Sequence, residues 1–177
     1  MIHDVLLKPF LFNFKLDDKI KDLLKQIISH NLFVPQEDVK IVYDSIILCF
    51  NKNIRRGLYN LIAKFEKGCR EYIKSLKIYP IVKKGSQDVI IDLNHIIVQK
   101  KGKDNRYRKV VSDIIGNDLS LAIEYLSCRP LSGNIRNEYY HNGIGDESQY
   151  YHNEMVLFFY LIKAYCLGYD SQINKDD

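Results

Sequence analysis

The chain has 177 residues, of which 46% are hydrophobic and 27% charged, and its formal net charge is +4. These values are typical of globular proteins, so they exclude intrinsic disorder for most of the chain and predict one domain, residues 1–177, with a buried core. The longest apolar stretch, residues 155–167, is shorter than the ~20 residues that cross a bilayer, so we expect no membrane partner.

The four cysteines are scattered along the chain and form no C-x-x-C pair, and no histidines stand at zinc-finger spacing. This pattern predicts reduced thiols and no metal site. The first residues also lack the basic region and apolar run of a secretory signal. Together these features predict a cytoplasmic protein.

Apolar residues recur every three or four positions along most of the chain, which is the spacing of amphipathic helices. For residues 89–99 a strand is the alternative, because β-branched residues are frequent there. The opening residues 2–14 fit either irregular structure or a short helix. The predicted helices cover residues 16–29, 39–50, 52–76, 89–99, 110–115 and 119–126, one capped by Asn134, and a last one from Asp146 or Ser148 to about Gly168.

Pro80 and Gly85 mark a break between helices, and the polar tail, residues 171–177, is expected to fray. The predicted fold class is therefore all-α, an irregular bundle of five to seven helices.

The segment from Ser132 to Gly143 combines polar residues of unusual type at a helix start between two apolar helices. Arg136, Asn137 and His141 can all contact a phosphate, and Asn137 and His141 share one helix face because they are four residues apart. Histidine can accept and donate a proton near neutral pH, and an arginine fork can neutralise a phosphate. These residue types in this order favour phosphate chemistry.

Arg136, four intervening residues and His141 resemble the R-x(4-6)-H signature of the HEPN superfamily (higher eukaryotes and prokaryotes nucleotide-binding). The Asn directly after the Arg is the commonest form of that signature. The stretch also resembles a bacterial subfamily whose C-terminal region reads roughly G-x-N-L-R-N-x-x-A-H-G, and the similar region covers about residues 110–168. Here Tyr140 stands where that subfamily has a small residue, and Asn142 precedes Gly143.

The resemblance implies an all-helical homodimer whose two motifs form one composite active site. It also implies an endoribonuclease that needs no metal or cofactor, of a kind common among toxins and anti-phage defence effectors. By position, it makes Arg136, Asn137 and His141 the catalytic residues. Attack by the RNA 2′-OH would then yield a 2′,3′-cyclic phosphate.

Three interpretations remain, of which this nuclease is the first. The chain is either that nuclease, with RNA and an antitoxin or regulatory protein as partners, or a non-catalytic HEPN module that binds a nucleotide or a protein. A plain helical interaction protein is the third. In the two non-catalytic cases Arg136 would form a salt bridge with Glu138 or Asp146 on the helix surface.

Six of the ten residues from 100 to 109 are basic, which predicts either a solvated loop or an RNA-backbone contact. Tyr140 either packs in the protein or stacks on a base. The lone His95 is expected to be structural or at the surface. The predicted RNA-binding residues are Lys100, Lys101, Lys103, Arg106, Arg108 and Tyr140.

Overall fold

A computed structural model describes residues 16–98, 105–129, 135–142 and 151–176, without the side chains of residues 138, 140–142, 175 and 176. This part of the chain is mostly helical and contains eight α-helices and one two-stranded hairpin. The helices are α1 (Asp18–Ser29), α2 (Val39–Phe50), α3 (Ile54–Ser75), α4 (Leu93–Ile97), α5 (Arg106–Ile115), α6 (Asn117–Cys128), α7 (Ile135–Asn142) and α8 (Tyr151–Asp176). The strands are β1 (Ile81–Lys84) and β2 (Gln87–Ile90), and Gln36–Asp38 forms a 3₁₀ turn.

The core is built around α3 and α8, which have 22 and 26 residues and pack against each other. Phe65 of α3 lies between Phe33, from the segment before α2, and Tyr165 of α8. The ring centroids are 5.7 Å and 5.9 Å away, in edge-on contacts. All three rings are fully buried. The helical spacing in the sequence placed α1, α2 and α3 correctly because burial of one apolar face stabilises each of them.

The described residues are mostly helical, as predicted, but the small hairpin was not predicted. β1 and β2 are antiparallel with Ile81 opposite Ile90, and Gly85 begins the turn with a φ of 64°. A two-residue turn with glycine between β-branched pairs is a hairpin signal, and the sequence carries it at Gly85-Ser86. Residues 89–99 were predicted as a helix with a strand as the alternative, and the described part contains both, since β2 ends at Ile90 and α4 covers Leu93–Ile97.

The last helix continues beyond Gly168, so the predicted end of this helix and the frayed tail are both wrong for residues 171–176. A Cβ at Gly168 would lie 2.7 Å from Asn31 Oδ1 and 2.9 Å from Phe33 Cδ2. The glycine therefore permits close packing against these residues and does not end the helix.

Gly68→Ala should lower the free energy of unfolding by about 3 kcal/mol, because a Cβ there would overlap the carbonyl group of Phe33. Helix propensity alone predicts the opposite sign, a gain of about 1 kcal/mol. Chemical denaturation of the variant and of the wild-type protein distinguishes these two expected changes in stability. A stabilised variant would contradict the close contact between α3 and Phe33.

The predicted caps Asn134, Asp146 and Ser148, and the opening residues 2–14, lie outside the described residues. Among the helices described, none is both long and apolar enough to cross a membrane.

Candidate active site

Helix α7 carries the motif, and buried contacts on one of its faces hold it in place. Ile135 and Tyr139 are four residues apart and both are buried. The Tyr139 hydroxyl donates a hydrogen bond to Glu154 Oε1 of α8 at 3.0 Å, and Arg55 Nε of α3 donates to the same oxygen at 3.2 Å. Burial raises the pKa of Tyr139 and the Glu154 carboxylate raises it further, so the phenol stays a donor. The position of Arg136 is therefore set by packing between helices.

Arg136 points towards α3 and α4. Its Nε donates to Glu66 Oε2 at 3.2 Å, and its Nη2 lies 3.8 Å from Asp92 Oδ2. The side chain is 16% exposed, and Glu66 also accepts from Arg70 Nη1 at 2.6 Å. Arg136 thus forms ion pairs with Glu66 and Asp92. The Glu138 side chain and Asp146, the partners expected of a structural Arg136, lie outside the described residues.

His95 lies beside Arg136, through a shared contact with Asp92. Asp92 caps α4, where its Oδ1 accepts from the His95 backbone N–H at 3.2 Å and lies 2.7 Å from His95 Nδ1. Burial by itself would raise the pKa of Asp92, but hydrogen bonds from His95 and Asn94 hold it below the ordinary value. The ionised carboxylate favours the tautomer with the proton on Nδ1, which leaves Nε2 as a proton acceptor.

His95, which was expected to be structural or at the surface, is thus paired with Asp92. A helix-capping Asp three residues before a His is a local pattern, and it could have indicated this pair from the sequence. We name Arg136, Asp92 and His95, with Glu66 behind them, the arginine–histidine site. The His95 side chain is 26% exposed, so a ligand can reach the imidazole.

Burial raises the pKa of the Cys128 thiol to about 11. The positive charge of Arg136 lowers this pKa, but by less than burial raises it. The thiol is protonated at neutral pH and is a poor nucleophile. The chemistry available at this site is therefore that of the imidazole, the guanidinium and the carboxylates.

Two other predicted catalytic residues lie on α7. Asn137 is exposed next to Arg136. His141 is five residues beyond Arg136, which corresponds to about 7.5 Å along the helix axis. The side chains of His141 and Tyr140 lie outside the description, so their roles stay predictions.

The basic run is only partly described, and its described residues differ in environment. Arg106 is exposed, with its guanidinium 4.7 Å from the centre of the Tyr107 ring. Arg108 is instead 5% exposed, pairs with Glu124 Oε2 at 3.0 Å and donates to the Ile97 carbonyl. Its guanidinium faces the interior, contrary to the expectation of an RNA contact. Lys100, Lys101 and Lys103 lie outside the described residues.

Within the described ranges, no group of three or more His, Cys, Asp or Glu side chains is arranged to hold a metal ion. Comparison of the chain with family models, with curated proteins and with solved structures found no match.

Proposed function

We propose that the protein is a metal-independent endoribonuclease of the HEPN type. The observation that supports it most is the arrangement of the arginine–histidine site. The Arg136 guanidinium lies 3.8 Å from one oxygen of Asp92, and the other oxygen lies 2.7 Å from His95 Nδ1. A cation and a carboxylate-oriented imidazole are thus adjacent on one protomer, as cleavage of a phosphodiester requires.

The reaction needs one proton acceptor and one proton donor. One histidine takes the proton of the 2′-OH while the O2′–P bond forms, and the other, protonated, gives its proton to the 5′-oxygen as the P–O5′ bond breaks. His95 and His141 are the two candidates for these roles. Arg136 stabilises the negative charge that grows on the non-bridging oxygens, and Asn137 orients the phosphate.

The products would be a 2′,3′-cyclic phosphate and a 5′-hydroxyl. In keeping with the motif, we further propose a homodimer with a composite active site, and a role as a toxin or anti-phage defence effector. A homodimer predicts that sedimentation equilibrium will give a molar mass twice that of the monomer.

Incubation of the purified protein with single-stranded RNA, with and without EDTA, tests this function. We expect cleavage at an equal rate in both, with cyclic-phosphate and 5′-hydroxyl ends. A His152→Ala variant is the control for loss of a histidine outside the proposed site, and it should cleave as the wild type does. His152 is an exposed histidine on the first turn of α8. Cleavage that stops on chelation would contradict the mechanism, and so would intact RNA in every condition.

One observation favours a second candidate, the non-catalytic HEPN module. Arg136 is engaged by Glu66 and Asp92, and such ion pairs can serve stability alone. In that case Arg136→Lys should retain all binding of nucleotide or protein partners, and no variant of the site should change an RNA-cleavage rate.

A further inference from the structure

A groove runs between the second half of α3 and the β-hairpin. Its volume is about 440 Å³, within the range of sites that bind small molecules or single nucleotides. One wall is formed by charged side chains of α3 and the other by apolar and aromatic residues at and before the hairpin. The lining residues are Lys67, Arg70, Glu71, Lys74, Tyr79, Pro80, Ile81 and Ile90. We call it the α3–hairpin groove.

The α3 wall carries three cations and one carboxylate. Lys67, Arg70 and Lys74 are three and four residues apart, so their side chains are neighbours on one helix face. Lys67 and Arg70 are held by ion pairs, Lys67 to Asp38 at 2.6 Å and Arg70 to Glu66 at 2.6 Å.

Lys74 differs from the other two cations, because its Nζ lies 3.6 Å from Glu71 Oε2 and its side chain is 64% exposed. The hairpin carries exposed Lys83 and Lys84 on β1, with the exposed Asp88 of β2 opposite Lys83, so its charge is also positive on balance. The surface around the groove therefore suits an anion.

The hairpin wall presents an exposed aromatic ring on a fixed backbone. Tyr79 is 78% exposed, and Ile90 is 68% exposed. The Tyr107 hydroxyl lies 2.9 Å from the Tyr79 carbonyl oxygen and 2.8 Å from that of Ile81, and its one proton is shared between them, which anchors the base of the hairpin. A ring held in solvent beside cations is the arrangement on which nucleic-acid bases stack.

The groove neighbours the arginine–histidine site, although no residue of that site lines it. Arg70 lines the groove and shares Glu66 with Arg136. Ile90 also lines the groove, and Asp92 of the site follows it by two residues, a span of at most about 7 Å. A strand bound in the groove would therefore lie close to the arginine–histidine site.

We propose that the α3–hairpin groove binds a single strand of RNA and leads it to the arginine–histidine site. A base stacks on Tyr79, and the phosphates follow the cations of α3. This inference rests on the proposed function, since it identifies the substrate as single-stranded RNA. A second copy of the chain is a poorer occupant, because a two-fold contact here would place lysines against lysines.

Binding of a fluorescein-labelled 2′-O-methyl oligoribonucleotide, followed by fluorescence anisotropy, tests the groove. The probe lacks the attacking 2′-OH, so its affinity does not depend on cleavage. Tyr79→Ala should raise Kd by about fivefold to a hundredfold, whereas Tyr79→Phe should keep the wild-type Kd. Tyr125→Ala, which removes an exposed aromatic ring from α6, is the matched control and should also leave Kd unchanged.

Lys74→Ala should reduce the slope of log affinity against log salt by about 0.7, the value of one single-strand phosphate contact. Lys163→Ala, on the exposed side of α8, should leave the slope unchanged. If the Tyr79→Ala and Lys74→Ala variants both keep the wild-type affinity and salt slope, the proposal that the groove binds RNA is wrong. Loss of a dimer in Tyr79→Ala with unchanged RNA affinity would overturn it too, and would assign this surface to self-association.

The two proposals fail separately. If the probe binds through Tyr79 and Lys74 but RNA is never cut, the proposed nuclease function is wrong and the proposed RNA binding in the groove is confirmed. If cleavage depends on Arg136 while the groove variants bind the probe as the wild type does, the groove alone is wrong.

Discussion

Replacing His141 with alanine is expected to slow RNA cleavage by about a hundredfold to ten-thousandfold in the presence of EDTA. This is the usual contribution of a general acid or base, and no metal-bound hydroxide replaces it in the proposed mechanism. Single-turnover kinetics with saturating protein measures the step directly. The protein should remain folded, because the change removes one polar side chain of α7 and leaves the buried Ile135 and Tyr139 in place.

The pH dependence separates the roles of the two histidines. The wild-type rate should follow a bell-shaped profile, and His95→Ala and His141→Ala should each lose a different limb. His152→Ala should keep the whole profile. If His141→Ala cleaves at the wild-type rate, then His141 is not an acid or base, and the mechanism proposed here is wrong.

Glu66→Ala should lower the free energy of unfolding by about 3 kcal/mol, because it leaves Arg70 and Arg136 without their shared carboxylate in a largely buried position. For a chain of this length that corresponds to a fall in Tm of about 6–12 °C. Thermal unfolding followed by circular dichroism measures it. Cleavage should fall as well, since Glu66 positions the Arg136 guanidinium.

Two variants serve as controls for Glu66→Ala. Glu66→Gln keeps one acceptor oxygen but turns an NH2 donor towards one of the two arginines, so it should lose about 2 kcal/mol, less than Glu66→Ala. Glu71→Ala removes an exposed carboxylate from the same helix, 48% exposed, and should change stability by less than about 0.5 kcal/mol. Equal stability of Glu66→Ala and Glu71→Ala would show that the Glu66–Arg136 contact does not hold α7 in place.

Much of the fold follows from local patterns, and its errors have local causes. The spacing of apolar residues predicted α2 at its observed bounds and α3 to within two residues, since each helix buries one face. The hairpin was missed because Gly85 was interpreted only as a break, and the end of α8 was misplaced because Gly168 was taken as a helix stop. A glycine can serve a turn or close packing, and helical periodicity does not distinguish the two.

The candidate site also combines residues that a local pattern reveals with residues that only the fold brings together. Arg136, Asn137 and His141 are visible in the sequence because they lie within six residues of one helix. Glu66 and His95 are 70 and 41 residues away from Arg136 along the chain, so no local pattern connects them to it. Arg108 was assigned to RNA because charge in a basic run resembles surface charge, whereas packing places it beside Glu124.

By itself, the amino-acid sequence determined that the chain is mostly helical and that a polar motif begins one of its helices, because both depend on residues a few positions apart. Only the tertiary structure decided that Arg136 faces Glu66 and Asp92, that His95 is oriented by a carboxylate, and that three cations of α3 line a groove next to the hairpin. Those features arise where α3, α4 and α7 meet, and the burial that brings them together depends on the whole core.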